Sequence, residues 1–258
     1  MRVPILAGNW KMNKTIGEAV DLVRELRRLV LDVATVEIVV CPSFVALAAV
    51  ADALKGTKIR IGAQDLHWED KGAFTGEVSP LMLKDVCDYV IIGHSERRQF
   101  FGETNASVNR KVKAALSHGL TPIMAVGETL QQYEAGQTAD VVSSQVRQGL
   151  DGISARDARG LVVAYEPVWA IGTGKAATGV GANGVVALSI RGPLAELYGE
   201  EIAQSIRVQY GGSVTPSNID EFMTMPDLDG ALVGGASLKP GDFAAIVKQT
   251  AQAKRMTP

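Results

Sequence analysis

The stretch with the clearest chemical potential covers residues 164–175 and reads AYEPVWAIGTGK. The apolar run 160–163 precedes it and is typical of a buried strand. Glu166 ends this run, and Pro167 favours an extended backbone at Glu166 and ends the strand's hydrogen bonding. The carboxylate would then stand at the carboxyl end of a strand, where it could act as a general base. A glutamate at a strand end is, by itself, more often a solvated surface residue.

The segment after Glu166 has the composition of a lid. Residues 168–175 combine an apolar middle with glycines at which the chain could flex. Such a segment could close over a small polar ligand, with a base at its root. An ordinary long loop between a strand and a helix is the alternative.

Other groups capable of chemistry follow other predicted strands. A lysine could neutralise an anionic substrate, and glycines let backbone N–H groups approach an oxyanion closely. A surface lysine and simple tight turns are the plainer explanations of the same residues. The set comprises Asn9, Lys11, His94, Glu128, Gly211-Gly212-Ser213 and Gly234-Gly235.

His94 is one of only three histidines in the chain. A histidine at a strand end is more often structural or solvated, so its neighbours matter. We expect Ser95 and Glu96 to support it, one by fixing geometry and the other by anchoring a basic group. Arg97 and Arg98 are expected to be ion-pair partners and not substrate ligands.

Two patterns in the sequence resemble nucleotide-binding motifs, but each lacks features that the motif requires. Residues 179–184 fit G-x-G-x-x-G, but more than ten residues separate them from the preceding strand, which this fingerprint should follow directly. Gly174-Lys175 resembles part of a P-loop, but Ala176 replaces the required hydroxyl residue and Trp169 occupies the first glycine position.

Composition narrows the class of protein. The chain has 258 residues, of which 47% are hydrophobic, and a net charge of −2. There is no basic surplus that would indicate nucleic acid, and no apolar stretch long enough to span a membrane. The two cysteines, Cys41 and Cys87, lack metal-ligand spacing and do not indicate a disulfide framework. These features predict a soluble cytoplasmic protein.

The elements that must position these residues alternate regularly along the chain. The predicted strands cover residues 3–8, 36–41, 58–63, 88–93, 120–126, the run before Glu166, 206–210 and 228–233. The predicted helices include one capped by Thr15 and Glu18, and others over 43–54, 138–150 and 183–198; Thr215-Pro216 is predicted to start a short helix. Strands that alternate with helices pair in parallel. The pattern predicts an α/β protein whose residues 1–258 form a single (β/α)8 barrel, with its active site at the carboxyl ends of the strands.

Five motifs, in order along the chain, resemble those of the triosephosphate isomerase family. They are residues 8–13 (GNWKMN), 93–98 (GHSERR), 164–175, 210–213 (YGGS) and 232–238 (LVGGASL). The resemblance extends from end to end. It implies an aldose–ketose isomerase of glycolysis and gluconeogenesis that interconverts dihydroxyacetone phosphate and D-glyceraldehyde 3-phosphate. Proton abstraction next to a carbonyl, the chemistry that the resemblance implies, requires no metal or organic cofactor.

The resemblance also implies a role for each candidate residue. Glu166 resembles the base, and His94 the neutral electrophile that polarises the carbonyl. Lys11 and Asn9 resemble catalytic and substrate-binding contacts. The phosphate grip is implied for backbone N–H groups at Gly172, Ser213, Gly234 and Gly235.

The long loop 64–77 has an implied role as well. By resemblance it inserts into a second subunit, with Thr75 close to Asn9 and Lys11 of the partner subunit. The expected assembly is a homodimer, with higher assemblies allowed.

Three positions depart from the family pattern. Ala125 stands where the family commonly has Cys, and we expect only local repacking. Gly179 stands where the family often has Pro, which is expected to loosen the start of the following helix. Pro193 lies inside that helix and should kink or break it.

Two other functions compete with the isomerase. Another phosphate-binding barrel would explain the glycine turns, but not the joint presence of Asn9, Lys11, His94 and Glu166. A barrel kept as a binding or scaffold protein would need neither this set nor a lid.

Overall fold

The computed structural model describes residues 2–171 and 177–256, and the side chains as far as residue 254. Within these ranges eight parallel strands form a closed barrel in which each strand pairs with its neighbours in the sequence and the last strand pairs with the first. The strands are β1 Ile5–Asn9, β2 Glu37–Cys41, β3 Arg60–Ala63, β4 Tyr89–Ile92, β5 Thr121–Val126, β6 Val162–Tyr165, β7 Arg207–Tyr210 and β8 Gly230–Val233. The predicted (β/α)8 barrel is confirmed.

Helices follow every strand and form the outer layer. They are α1 Ile16–Leu29, α2 Leu47–Ala53, α3 Pro80–Leu83, α4 Ser95–Phe100, α5 Asn105–Ser117, α6 Leu130–Glu134, α7 Thr138–Gly149, α8 Ala155–Ala158, α9 Gly179–Val185, α10 Gly192–Tyr198, α11 Glu200–Ser205, α12 Ile219–Met223 and α13 Pro240–Met256. Short 3-10 turns cover Phe44–Ala46, Val168–Ala170 and Gly235–Leu238, and a π-helical turn covers Val186–Arg191. Several short helices, such as α4 and α6, lie in stretches for which the sequence analysis assigned no element.

The strands divide their side chains between two layers of core. Along β1, Ile5 and Ala7 point into the barrel with Val39, Ile91 and other interior residues. Leu6, between them, packs outward against the helices. The alternation follows from the two-residue period of a strand, and it explains why these strands read as continuous apolar runs.

Charged residues close the amino end of the barrel. The Tyr89 hydroxyl donates to Oε1 of Glu37 at 2.7 Å, and Arg207 pairs with the other oxygen of Glu37. Burial raises the pKa of Tyr89 to about 12, so its hydroxyl remains a donor at neutral pH. Because this end is filled, a ligand would enter at the carboxyl ends of the strands.

The helix after β6 begins earlier than predicted. Thr178 caps it by accepting from the N–H of Gly181, and α9 starts at Gly179. The N–H of Gly179 donates to Oε1 of Glu221 at 2.6 Å. The expected loosening of the helix start at Gly179 stays a prediction.

Pro193 lies in a stretch where the helix after β6 changes its hydrogen bonding but the chain stays helical. The π-helical turn Val186–Arg191 lies directly before α10, in which Pro193 occupies the first turn. Proline cannot donate to the carbonyl of Ser189, four residues earlier. The hydroxyl of Ser143 donates to that carbonyl at 3.4 Å and takes the place of the missing N–H.

The predicted helix start at Thr215-Pro216 is wrong. The helix begins at Ile219, after a turn over residues 216–218. The side chain of Asn218 accepts from the N–H of Thr215 at 2.8 Å and donates to the carbonyl of Ser213 at 3.0 Å. These two bonds hold the residues before Ile219 in a turn and delay the helix.

Candidate active site

The carboxyl ends of the strands surround a cavity of about 310 Å³. Every residue predicted to be catalytic or to bind substrate lines it, except Gly172, which lies outside the described residues; the further candidate Glu128 is not among the lining residues. The lining residues are Asn9, Lys11, His94, Glu166, Ile171, Gly211, Gly212, Ser213, Val214, Thr215, Leu232, Gly234, Gly235 and Ala236.

Glu166 directly follows β6 and is almost completely buried. Its backbone N–H donates to the carbonyl of Val126 at 2.7 Å and extends the strand ladder by one residue. Neighbouring glycines make room for it: a Cβ on Gly211 would lie 2.7 Å from Cγ of Glu166, and one on Gly127 would lie 1.7 Å from its carbonyl oxygen. The glycines after β5 and β7 therefore determine where this carboxylate can lie.

The carboxylate of Glu166 has two polar partners. Oε2 accepts from the N–H of Ser95 at 3.0 Å, and Oε1 lies 3.1 Å from Nε2 of His94. Burial alone would raise the pKa of Glu166, but His94, the Ser95 N–H and Lys11 outweigh it and hold that pKa below its usual range. Glu166 is therefore ionised at neutral pH and able to accept a proton.

His94 stands between β4 and α4 and caps the helix with its ring. Nδ1 accepts from the N–H of Glu96 at 3.2 Å, which requires that Nδ1 carry no proton. Burial lowers the pKa of His94, but the nearby Glu166 carboxylate outweighs burial, so the pKa lies above its usual value. The hydrogen bond from the Glu96 N–H opposes this rise, because only the neutral ring has a free Nδ1 that can accept it. We assign the tautomer that carries its proton on Nε2, facing Glu166.

Lys11 is held in an uncommon backbone conformation, with φ of +53°. Its N–H donates to Oδ1 of Asn9 at 3.0 Å, and its carbonyl accepts from the Gln64 side chain at 2.9 Å. Such φ values are disfavoured outside glycine, so these two bonds stabilise a strained residue. The ammonium group pairs with Glu96 at 2.6 Å, as expected for a carboxylate that anchors a basic group.

The two glycine turns follow the neighbouring strands β7 and β8 and line the same cavity. A Cβ on Gly235 would meet no atom within 4 Å, and one on Gly234 would meet only Cε of Lys11, at 3.8 Å. The Gly234-Gly235 backbone therefore faces the cavity uncovered, beside the lysine. Ser213, after the turn at Gly212, lines the same cavity. Bare backbone next to a cation is suited to binding a phosphate.

Glu128 does not line this cavity, although it follows β5. It is fully buried, and it accepts from the Tyr165 hydroxyl and from Nε1 of Trp169 at 2.9 Å. The N–H of Val168 donates to its carbonyl at 3.0 Å. Glu128 thus supports the backbone after Glu166 and is not a ligand of the cavity.

Some residues of the site were missed. Gln64 directly follows β3 and holds Lys11 and the carbonyl of Cys41; its position at a strand end was the available signal. The apolar Leu232 carried no such signal, whereas Ile171 falls within the predicted lid 168–175. Among the residues that the structure describes, no cluster of His, Cys, Asp or Glu has the composition of a metal site.

Comparisons with known proteins agree with the geometry. The family model described as triosephosphate isomerase matches residues 4–250. The chain is 62% identical to the triosephosphate isomerase of Moorella thermoacetica over 96% of its own length and 98% of the relative. It is 57% identical to that of Clostridium perfringens over 96% and 99%. A crystal structure of the Bartonella henselae triosephosphate isomerase superposes with a TM-score of 0.86 at 38% identity, covering 96% and 98% of the two chains. The chain therefore belongs to the triosephosphate isomerase family.

Proposed function

We propose that Glu166, His94, Lys11 and Asn9 carry out the interconversion of dihydroxyacetone phosphate and D-glyceraldehyde 3-phosphate in this protein. The protein is an isomerase of glycolysis and gluconeogenesis, as its family membership shows. The observation that best supports the residue assignment is that a buried carboxylate, an imidazole, a cation and two glycine turns line one cavity.

Glu166 is the base of the proposed reaction. It removes the proton from the carbon next to the carbonyl and returns it to the neighbouring carbon. Its carboxylate is tied to the N–H of Ser95 at 3.0 Å and must leave that bond to reach a substrate carbon. Buried and ionised, it has the properties that carbon-acid chemistry requires of a base.

His94 is the proton donor to the enediolate oxygens. With its proton on Nε2 and Nδ1 occupied by the Glu96 N–H, the ring has one donor that points toward Glu166. When Glu166 turns to the substrate, the charge that raises the pKa of His94 moves away, and the ring remains neutral. Triosephosphate isomerases are themselves the standard example of a glutamate base paired with a neutral histidine.

Lys11, with Asn9, supports the negative charge that develops on the substrate. A preorganised cation in a site that excludes water stabilises an enediolate more than a solvated cation would. The N–H groups of Ser213, Gly234 and Gly235, and by resemblance that of Gly172, bind the phosphate. Residues 168–175 would close over it; residues 172–176 lie outside the described ranges.

A coupled assay for glyceraldehyde 3-phosphate formation tests this assignment. The wild type should be active, and the variants of Glu166, His94 and Lys11 should each lose activity. A phosphate-binding barrel with another substrate, or a scaffold barrel, would show no turnover in the same assay.

We further propose a homodimer, with higher assemblies allowed. Large apolar side chains are exposed on the segments that follow β1, β2 and β3, among them Met12 (96%), Val45 (73%) and Met82 (62%). Phe74, on the loop before α3, is also exposed (43%) and contacts the ring of His67, with ring centroids 4.2 Å apart. An exposed apolar face of this kind is suited to burial against a second subunit.

The domain boundaries and the location are also proposals. We propose that residues 1–258 form one domain, because the barrel uses strands from Ile5 to Val233 and α13 packs against α1. A cytoplasmic location, with no nucleic-acid or membrane partner, is consistent with the net charge of −2. Within the described ranges, none of the helices has the length and apolar character needed to cross a bilayer.

A further inference from the structure

Glu221, on the surface helix α12, makes a contact that the catalytic set does not explain. Its Oε1 accepts from the N–H of Gly179 at 2.6 Å. Gly179 is the first residue of α9, where a helix leaves its N–H groups without an intrahelical acceptor. The Gly179 backbone is buried, so this N–H would cost free energy if left unpaired. Glu221 supplies the acceptor.

The two elements also touch through backbone atoms. A Cβ on Gly179 would lie 2.4 Å from the carbonyl oxygen of Glu221. Only glycine allows this approach, and a proline at 179 would have no N–H for Glu221. The contact therefore depends on glycine at position 179 and glutamate at position 221.

Phe222, the next residue of α12, is connected to the residues before α9 through Tyr210. The Phe222 ring stacks on Tyr210, with centroids 4.0 Å apart, and the Tyr210 hydroxyl accepts from the N–H of Ala177 at 3.2 Å. Tyr210 leads directly into the turn at Gly211-Gly212-Ser213. Residues 177 and 179 are therefore both fixed to α12 and, through Tyr210, to one wall of the cavity.

A second clamp lies one helical turn further on. The side-chain amide of Asn183 donates to Oδ2 of Asp227 at 3.2 Å, and its oxygen accepts from the Asp227 N–H at 3.0 Å. This pair holds the body of α9 in place independently of Glu221. Loss of the Glu221 bond should therefore free the residues before α9 without releasing the helix.

We infer that Glu221 is a positioning residue, which acts through Gly179 to set the backbone at residues 177–179 against the phosphate-binding turn 211–213. The inference rests on the proposed phosphate role of that turn. Glu221 touches neither the substrate nor the reacting atoms. Its loss should weaken substrate binding more than it slows the proton transfers at Glu166 and His94.

Three variants test the inference: Glu221→Ala, Glu221→Gln and Asp220→Ala. Glutamine keeps an oxygen acceptor, and alanine removes it. Asp220 is an exposed neighbour on α12 whose side chain has no hydrogen bond or ion pair in the described part of the chain, so it serves as the matched control. The measurements are hydrogen exchange at the Gly179 amide, and KM and kcat for dihydroxyacetone phosphate.

In the Glu221→Ala variant, the hydrogen of the Gly179 amide should exchange faster. The KM should rise by about 3- to 10-fold, which corresponds to the loss of one hydrogen bond. The kcat should fall by less than KM rises. Glu221→Gln should restore both readouts, and Asp220→Ala should change neither. The inference is overturned if exchange quickens while KM stays constant, if glutamine fails to restore the readouts, or if Asp220→Ala has the same effect. Amide exchange at Gly179 does not depend on which residue is the catalytic base. A wrong assignment of Glu166 could therefore be told apart from a wrong inference about Glu221.

Discussion

Nε2 of His94 lies 3.1 Å from Oε1 of Glu166, so the proposed base and the proposed proton donor contact each other directly. The two residues stand at the ends of β4 and β6, on opposite sides of β5. His94 helps to hold Glu166 ionised, and in the assigned tautomer the Nε2 proton of His94 faces Glu166. In the proposed mechanism, a substrate that enters between them replaces the contact between His94 and Glu166 with two new ones, from Glu166 to a substrate carbon and from His94 to a substrate oxygen.

Glu166→Gln tests the identity of the base. Glutamine keeps the shape and the hydrogen-bonding capacity of the side chain but cannot accept the proton. Turnover should fall by at least about 10²- to 10⁴-fold, the usual worth of general acid–base catalysis. Binding of a non-isomerisable phosphate analogue, measured by calorimetry, should survive. Turnover near that of the wild type would show that another group is the base.

Much of this site could be predicted from the sequence because the apolar runs of β1, β4 and β6 each give way to a polar residue at or just after the strand end. The apolar runs before Asn9, His94 and Glu166 placed these three side chains at one end of a barrel, and barrel closure then brought them together. The bond from the Ser95 N–H to Glu166 could not be predicted, because it joins residues 71 positions apart. The same is true of Gly179 and Glu221, whose contact depends on how two helices pack and not on any local pattern.

The buried charge cluster at the root of loop 64–77 gives a prediction for pH. Lys111 contacts both Asp65, at 2.6 Å, and Glu103, and Arg97 bridges the same two carboxylates. Burial raises the pKa of Asp65 to about 6, whereas the two cations outweigh burial at Glu103 and hold its pKa below its usual range. A raised carboxyl pKa means that the folded state binds the proton more tightly than the unfolded state, so this contribution to stability is lost as pH rises through 6.

Asp65→Asn removes that titration. The free energy of unfolding of the variant, minus that of the wild type, should therefore rise by about 1 kcal/mol between pH 5 and pH 8. Urea unfolding of both proteins at one protomer concentration measures this difference. A difference that does not change with pH would mean that Asp65 titrates as it does in the unfolded chain.

The proposed dimer predicts different effects for two equally exposed apolar residues. Val45 (73% exposed) lies near the end of β2, on the apolar face assigned to the partner, and Leu188 (78% exposed) lies on the outer π-helical turn. Val45→Asp should shift the protein toward monomers because it places a charge in the buried interface. Leu188→Asp should leave assembly unchanged. Sedimentation at micromolar concentration measures both, and an active wild-type monomer under these conditions would contradict the proposal.

The lid prediction concerns the fate of the intermediate. The enediolate carries a phosphate on the adjacent carbon, and in water it can expel that phosphate by β-elimination. A closed site must exclude water and hold the phosphate in a geometry that does not eliminate. Deletion of residues 171–174 should therefore do more than slow isomerisation. It should divert a larger share of each turnover to inorganic phosphate and methylglyoxal, because Glu166, fixed by β6 and Gly211, can still remove the proton. The ratio of released phosphate to isomerised product, compared between the deletion variant and the wild type, measures this share. If the ratio is the same in both, these residues do not protect the intermediate, and the protection must come from the cavity walls.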